Sequence, residues 1–132
     1  MSVPLYKRKN SPMEFVKMSR DLHIWALKKS SKLQNKYAKH FDQSICTNLA
    51  KVDMFVYYAN SMNVNEKYEE RTKCFDKALR LLRMVAQQYS VLVEAYPEQF
   101  SKVERSEKGK EFYKLSKLLN SIMASDKKRH KN

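Results

Sequence analysis

The sequence has very little of what terminates helices or builds tight turns. One glycine and three prolines occur among 132 residues, while charged residues make up 31% of the chain. Strands normally show alternating apolar and polar residues between clusters of turn residues, and the sequence has no such segment. These absences exclude a sheet-based fold and indicate one all-α domain, long enough to bury a core.

Cysteine is also scarce. Cys46 and Cys74 stand among apolar neighbours, with no CxxC motif and no paired histidines at ligand spacing. This pattern excludes a disulfide scaffold or a metal site, and we expect both thiols to be buried as small apolar groups. No apolar run is long enough to span a bilayer, and Met1–Asn10 lacks the apolar core of a signal peptide. We therefore expect a cytoplasmic protein without a membrane partner.

Catalytic motifs are absent from the sequence as well. The three histidines, His23, His40 and His130, form no HExxH motif, and the single glycine, Gly109, cannot build a glycine-rich phosphate loop. The sequence therefore predicts a protein that is not an enzyme and that needs no cofactor.

The strongest pattern that is present runs from Glu66 to Tyr96. Its main line of apolar residues advances in steps of four and three, with Thr72 filling one gap: Tyr68, Phe75, Leu79, Leu82, Ala86, Tyr89 and Val93. A second line lies beside it: Cys74, Ala78, Leu81, Val85 and Leu92. Together they cover about half of a helix circumference. One neighbour cannot cover so wide a stripe, so this helix should be central and contact at least two others, or its own bundle and another subunit.

Three further helices complete an antiparallel up-down-up-down four-helix bundle over residues 11–126. The first begins at Ser11-Pro12 and turns Phe15, Leu22 and Trp25 inward, with its packed part ending near Leu27. The second spans about residues 43–62, after a cap at Asp42 and a connection over residues 33–41. The fourth begins at Ser101 or at Ser106 and packs through Phe112, Leu115, Leu119 and Ile122. Residues 1–10 form a basic arm and residues 127–132 a disordered basic tail.

Positive charge is concentrated at the two ends of the chain. Residues 1–40 carry ten basic and two acidic side chains, residues 41–100 seven and eight, and residues 101–132 ten and four. The net charges are therefore +8, −1 and +6, which add to the formal +13 of the whole chain. Solubility does not require this asymmetry, and it is typical of a protein that binds a polyanion.

The predicted nucleic-acid-binding residues project from the faces opposite the apolar seams. They are Arg20, Lys28, Lys32, Lys36, Lys39, Lys110, Lys114 and Lys117. Lysine outnumbers arginine in this set, which favours phosphate contacts over base reading and therefore low sequence specificity for RNA or DNA. The alternative is a solvated lysine face on a protein that binds only other proteins.

A second candidate surface lies on the central helix. Arg80 and Arg83 occupy its polar face, and with Leu81 and Val85 they form a predicted subunit or partner interface. The arginines could contact acidic residues of a neighbouring subunit, or a nucleic acid. Trp25 is expected in the core.

The segment Leu79-Arg80-Leu81-Leu82-Arg83, together with Leu22-His23-Ile24-Trp25 and the connection from Lys36 to Ile45, resembles a known four-helix bundle family. That family contains the accessory variability determinant of diversity-generating retroelements and proteins encoded in intervening sequences of 23S ribosomal RNA genes. The resemblance implies a homo-oligomer, typically a pentamer, that binds a reverse transcriptase and its template nucleic acid. A protein of unknown role from a ribosomal RNA insertion is the alternative within the family.

Overall fold

A computed structural model describes residues 12–131, with side chains over residues 14–130. It contains four α-helices, α1 (Pro12–Lys32), α2 (Lys36–Asn60), α3 (Tyr68–Ala95) and α4 (Lys102–Lys131), and a 3-10 turn at Pro97–Gln99. The predicted all-α four-helix fold is confirmed. None of these helices is long and apolar enough to cross a membrane. The predicted basic arm, residues 1–10, lies outside the described part of the chain.

Consecutive helices run in opposite directions, as their contacts show. The Cys46 thiol donates to the carbonyl of Ala26 at 3.3 Å, while Asp53, further along α2, accepts from His23, which lies earlier in α1. Residue numbers therefore rise along α2 as they fall along α1, as in an antiparallel pair. The same order links α2 to α3 and α3 to α4. Helix α4 returns beside α1, so both α1 and α3 border it.

Helix α2 begins earlier than the sequence predicted. The Asn35 side-chain oxygen accepts from the backbone N–H groups of Tyr37 and Ala38, at 2.9 and 3.1 Å, and caps the helix there. Burying Ala38 against the core stabilises this extra turn. Asp42 was predicted to cap this helix. It is instead a buried residue inside it. The following turn is also longer than predicted and spans residues 61–67.

The start of α4 follows the first of the two predicted capping residues. The Ser101 hydroxyl accepts from the backbone N–H of Glu104 at 3.0 Å, and the helix runs from Lys102 without a break. Gly109 therefore lies inside the helix. A β-carbon at that position would meet no atom within 4 Å.

Helix α3 contacts at least two other helices, as its wide apolar stripe predicted. It packs on α2 along one side and on α4 along the other. Its buried members come from both predicted lines: Phe75, Ala78, Leu79, Leu82, Val85, Tyr89 and Leu92. Ala86 and Val93, on the main line, are only half-buried. Part of the α3 stripe is therefore left incompletely covered within one chain.

Four aromatic rings join α1, α3 and α4 at one end of the core. The Tyr89 ring lies edge-on to Trp25, Phe100 and Phe112, with centroid distances of 5.4, 5.5 and 5.6 Å. The indole N–H of Trp25 donates to Glu104 at 3.1 Å. Trp25 therefore packs with the core, as predicted, and satisfies its polar group at the edge.

A buried ion pair fixes the opposite end of α4. Arg71 and Asp126 are 6% and 0% exposed, and the Arg71 Nε donates to Asp126 Oδ2 at 2.7 Å. Arg71 also donates to the carbonyls of Ala59 and Met62, at 3.2 and 3.0 Å, so it joins the ends of α2, α3 and α4. The contact between Arg71 and Asp126 was not predicted from the sequence.

The predicted disordered tail, residues 127–132, is helical over residues 127–131, and residue 132 lies outside the described part of the chain. Helix α4 continues to Lys131, beyond the predicted end of the bundle at residue 126. Arg129 also donates to Asp126, at 3.2 Å, and the His130 ring stacks on Tyr68 with centroids 4.1 Å apart. The stacked rings therefore connect the last turn of α4 to the start of α3.

We expect Asp126→Ala to lower the free energy of unfolding by about 3–5 kcal/mol, because it leaves the Arg71 charge buried without a partner. The measurement is urea denaturation followed by circular dichroism. Asp76→Ala is the matched control, since it removes an exposed ion pair with Arg80 and should cost less than about 1 kcal/mol. Equal losses in the two variants would show that the buried Arg71–Asp126 pair contributes no more to the free energy of unfolding than an exposed pair does.

Candidate nucleic-acid interface

The α1–α2 and α3–α4 connections meet at one end of the bundle. The Lys29 ammonium donates to the Gln99 carbonyl at 2.6 Å and to Glu104 at 2.9 Å. The backbone N–H of Gln34 donates to the Gln99 side chain at 3.1 Å. Because Lys29 is partly buried and Leu33 is buried, the packed part of α1 extends past Leu27, where it was predicted to end.

Four exposed lysines surround this junction, and we call them the basic end: Lys28, Lys32, Lys36 and Lys39. They lie on the last turns of α1 and the first turn of α2, separated by a connection of residues 33–35. None of the four makes an ion pair with any carboxylate in the described part of the chain. The nearby Glu104 is already engaged by Lys29 and Trp25. The four ammonium groups of the basic end are therefore free of direct ion pairs with the described carboxylates.

The helix dipoles favour the lysines at the end of α1 but not those at the start of α2. Lysines near the end of α1, such as Lys32, are favoured because the carboxyl end of a helix carries partial negative charge. Lys36 and Lys39 stand at the amino end of α2, where the partial charge is positive and the first turn holds no acidic residue. Their placement costs helix stability, and the α2 terminus adds to the positive potential there.

The other predicted nucleic-acid-binding residues do not form one surface. Arg20 and Lys110 are exposed and make no ion pair with a described carboxylate. Lys114 turns toward α1 and pairs with Glu14 at 3.4 Å. Lys117 instead lines the groove between α3 and α4. The predicted α4 stripe is therefore divided between two sides of the helix.

The groove between α3 and α4 was not predicted. It has a volume of about 610 Å³ and is bordered by three cationic side chains, Arg83, Arg105 and Lys117. Lys117 and Arg83 belonged to separate predicted surfaces, which the tertiary structure brings together. Arg105 was missed, because its position on the inner side of α4 is evident only once the helix is known to start at Lys102.

The predicted interface on α3 is partly wrong. Val85 is 0% exposed and belongs to the core of the single chain, so it cannot contact a partner without unfolding. Leu81 is half-buried against the same core. Arg80 is exposed and pairs with Asp76 one turn away, at 2.9 Å. Only the two arginines remain available to another molecule.

A buried carboxyl lies beneath the basic end. Burial of Asp42 raises its pKa above the usual value, while hydrogen bonds from Cys46 and Ser30 lower it in part. The Cys46 sulfur lies 3.5 Å from Asp42 Oδ2 and 3.3 Å from the Ala26 carbonyl, so its single proton is shared between these two acceptors. Burial, the neighbouring Asp42 charge and the hydrogen bond to Asp42 raise the pKa of Cys46 to about 11. Such a thiol is predominantly protonated at neutral pH and is a poor nucleophile.

Within residues 14–130, no group of three or more His, Cys, Asp or Glu side chains could hold a metal ion. Both cysteines are free and half-buried. Comparison with protein-family models, curated proteins and solved structures finds no match to this chain. The family resemblance noted from the sequence therefore stays a prediction.

We expect Asp42→Asn to raise the free energy of unfolding at neutral pH. The native pKa of Asp42 lies above the unfolded value, so its stabilising contribution is complete below the unfolded pKa and is lost as pH rises through the native pKa. Asparagine carries no charge and avoids that loss. Urea denaturation across a pH series should show the gain shrinking as the pH falls. A gain independent of pH would contradict the assignment.

Proposed function

We propose that this protein binds RNA or DNA through phosphate contacts at the basic end, as a non-enzymatic accessory protein. The observation that carries the proposal is the gathering of Lys28, Lys32, Lys36 and Lys39 around one junction without local carboxylate partners. Phosphate groups are the natural counterpart, because lysine ammonium groups contact them without demanding a fixed geometry. Such contacts carry no sequence information, so binding has low sequence specificity.

Two exposed aromatic rings beside these lysines favour a single strand over a duplex. Tyr37 is 67% exposed and Phe41 38% exposed, and they lie one turn apart on α2. The Lys36 ammonium lies 5.4 Å from the Tyr37 ring centroid. Unpaired bases stack on such rings while the backbone phosphates contact neighbouring cations.

The family resemblance supports a wider setting for this activity. It favours a cytoplasmic protein of a diversity-generating retroelement, with a reverse transcriptase as protein partner and a homopentamer as the assembly. A pentamer would carry five basic ends in one particle. Light scattering on the purified protein tests the subunit number directly.

We expect replacement of the four basic-end lysines by glutamine to weaken binding to a random single-stranded oligonucleotide. Each lost phosphate contact should reduce the slope of log affinity against log salt by about 0.7. Fluorescence anisotropy over a salt series measures both quantities. The matched control replaces four exposed lysines elsewhere, Lys51, Lys67, Lys73 and Lys77, with the same change in net charge. Equal effects of both sets would mean that net charge alone governs binding. No salt-sensitive binding by the unaltered protein would favour a protein-only scaffold.

We expect Tyr37→Ala to weaken single-stranded binding by about 1–3 kcal/mol and to affect a duplex of the same sequence much less. Tyr57→Ala is the matched control, since Tyr57 is 68% exposed on the same helix but far from the basic end. A similar loss for the duplex would argue against stacking at Tyr37.

A further inference from the structure

The groove between α3 and α4 is elongated. It follows α3 from Arg83 to Val93 and α4 from Arg105 to Asn120. At 1.5 Å per residue these stretches are about 15 and 22 Å long. An extended ligand fits such a channel better than a compact small molecule.

The sides of the groove are positively charged. Arg83 stands on the α3 side, and Arg105 and Lys117 on the α4 side, with no acidic residue among those that line it. The Lys117 ammonium lies 5.3 Å from the Tyr113 ring centroid, and neither arginine pairs with a carboxylate of the described chain. A ligand that placed negative groups along both flanks would meet a cation on each side.

The floor of the groove is apolar. Ala86, Val93 and Phe112 contribute to it, and the half-buried state of the first two shows that α4 does not cover the α3 stripe fully. Phe112 and Tyr89 are buried, while Tyr113 is 66% exposed, so the groove offers one exposed ring rather than a row of stacking platforms for bases. The groove is open on its α4 side at Gly109, because this residue has no side chain.

We propose that this groove binds an acidic amphipathic α-helix of a partner protein. The apolar face of such a helix would cover Ala86 and Val93, and carboxylates on its flanks would pair with Arg83 on one side and Arg105 or Lys117 on the other. This is the helix-in-groove mode of recognition, with charges setting the choice of partner. A second copy of this chain fits less well, because a chain with a net charge of +13 lacks the excess of carboxylates that the cationic rim favours. This inference is independent of nucleic-acid binding at the basic end.

The test uses a fluorescein-labelled synthetic helix of about four turns, with leucines on one face and glutamates on both flanks. Anisotropy should show saturable, salt-sensitive binding to the full-length protein. A peptide with lysine in place of every glutamate, and a scrambled peptide of the same composition, should bind at least about tenfold more weakly, since both lose the charge match or the apolar face.

Two kinds of variant locate the peptide on the protein. Gly109→Phe fills the groove without changing charge, and its β-carbon meets no atom within 4 Å. Gly109→Ala is its matched control and leaves the groove open. The double variant Arg83→Glu, Lys117→Glu reverses the rim, while the double variant Lys73→Glu, Lys77→Glu reverses two exposed charges on α3 outside the groove. The filled and the rim-reversed proteins should each bind about tenfold more weakly, and both controls should bind as the unaltered protein does.

Several results would overturn the proposal. These are failure of the acidic helix to bind, or binding that survives both filling and rim reversal. A concentration-dependent dimer that Gly109→Phe abolishes would assign the groove to a second copy. Oligonucleotide binding that Gly109→Phe abolishes would assign it to nucleic acid. Loss of peptide binding with oligonucleotide binding intact would support the proposal and leave the proposed function of the basic end unaffected.

Discussion

The position of α4 depends on one buried interaction, the ion pair between Arg71 and Asp126. Removing two charges from water is costly, and the cost is offset only when both partners are held in good geometry with their remaining groups satisfied. Arg71 meets that condition by also donating to the carbonyls of Ala59 and Met62. The pair therefore tolerates little sliding of α4 along α3. Near the other end of α4, Glu104 accepts from Trp25 and Lys29 and holds the helix against α1.

The functional surfaces follow from these two anchors. Between these two anchors, α3 and α4 leave an open groove along the part that contains Gly109, where Arg83 and Lys117 lie on opposite sides. The contacts of Lys29 with Gln99 and Glu104 also draw the two connections together. That junction places the lysines of α1 beside those of α2. The basic end and the groove are thus separate surfaces, one suited to a polyanion and the other to a helix with acidic flanks.

The seams on α1, α3 and α4 could be predicted from sequence because apolar spacing is a direct consequence of helix geometry. The ends of the helices were harder to predict from the sequence. Asn35 and Asp42 are both good capping residues, and only the burial of Ala38 decides between them. Arg71 and Asp126 did leave a signal, since each continues an apolar seam, four residues before Phe75 and seven after Leu119. Charged residues at inward positions on two helices can indicate a buried pair, but spacing alone cannot show that they meet.

The sequence by itself determined the all-α fold, the contact of α3 with more than one helix and the concentration of positive charge toward the chain ends, since these depend on local periodicity and composition. Only the tertiary structure decided which cations share a surface. Lys114 and Lys117 lie on different surfaces, Lys117 and Arg83 line the same groove, and Val85 is buried in the core. The physical reason is that an exposed side chain carries little information about its neighbours on other helices. Those neighbours are set by how the buried faces pack, and here by the ion pair that fixes α4.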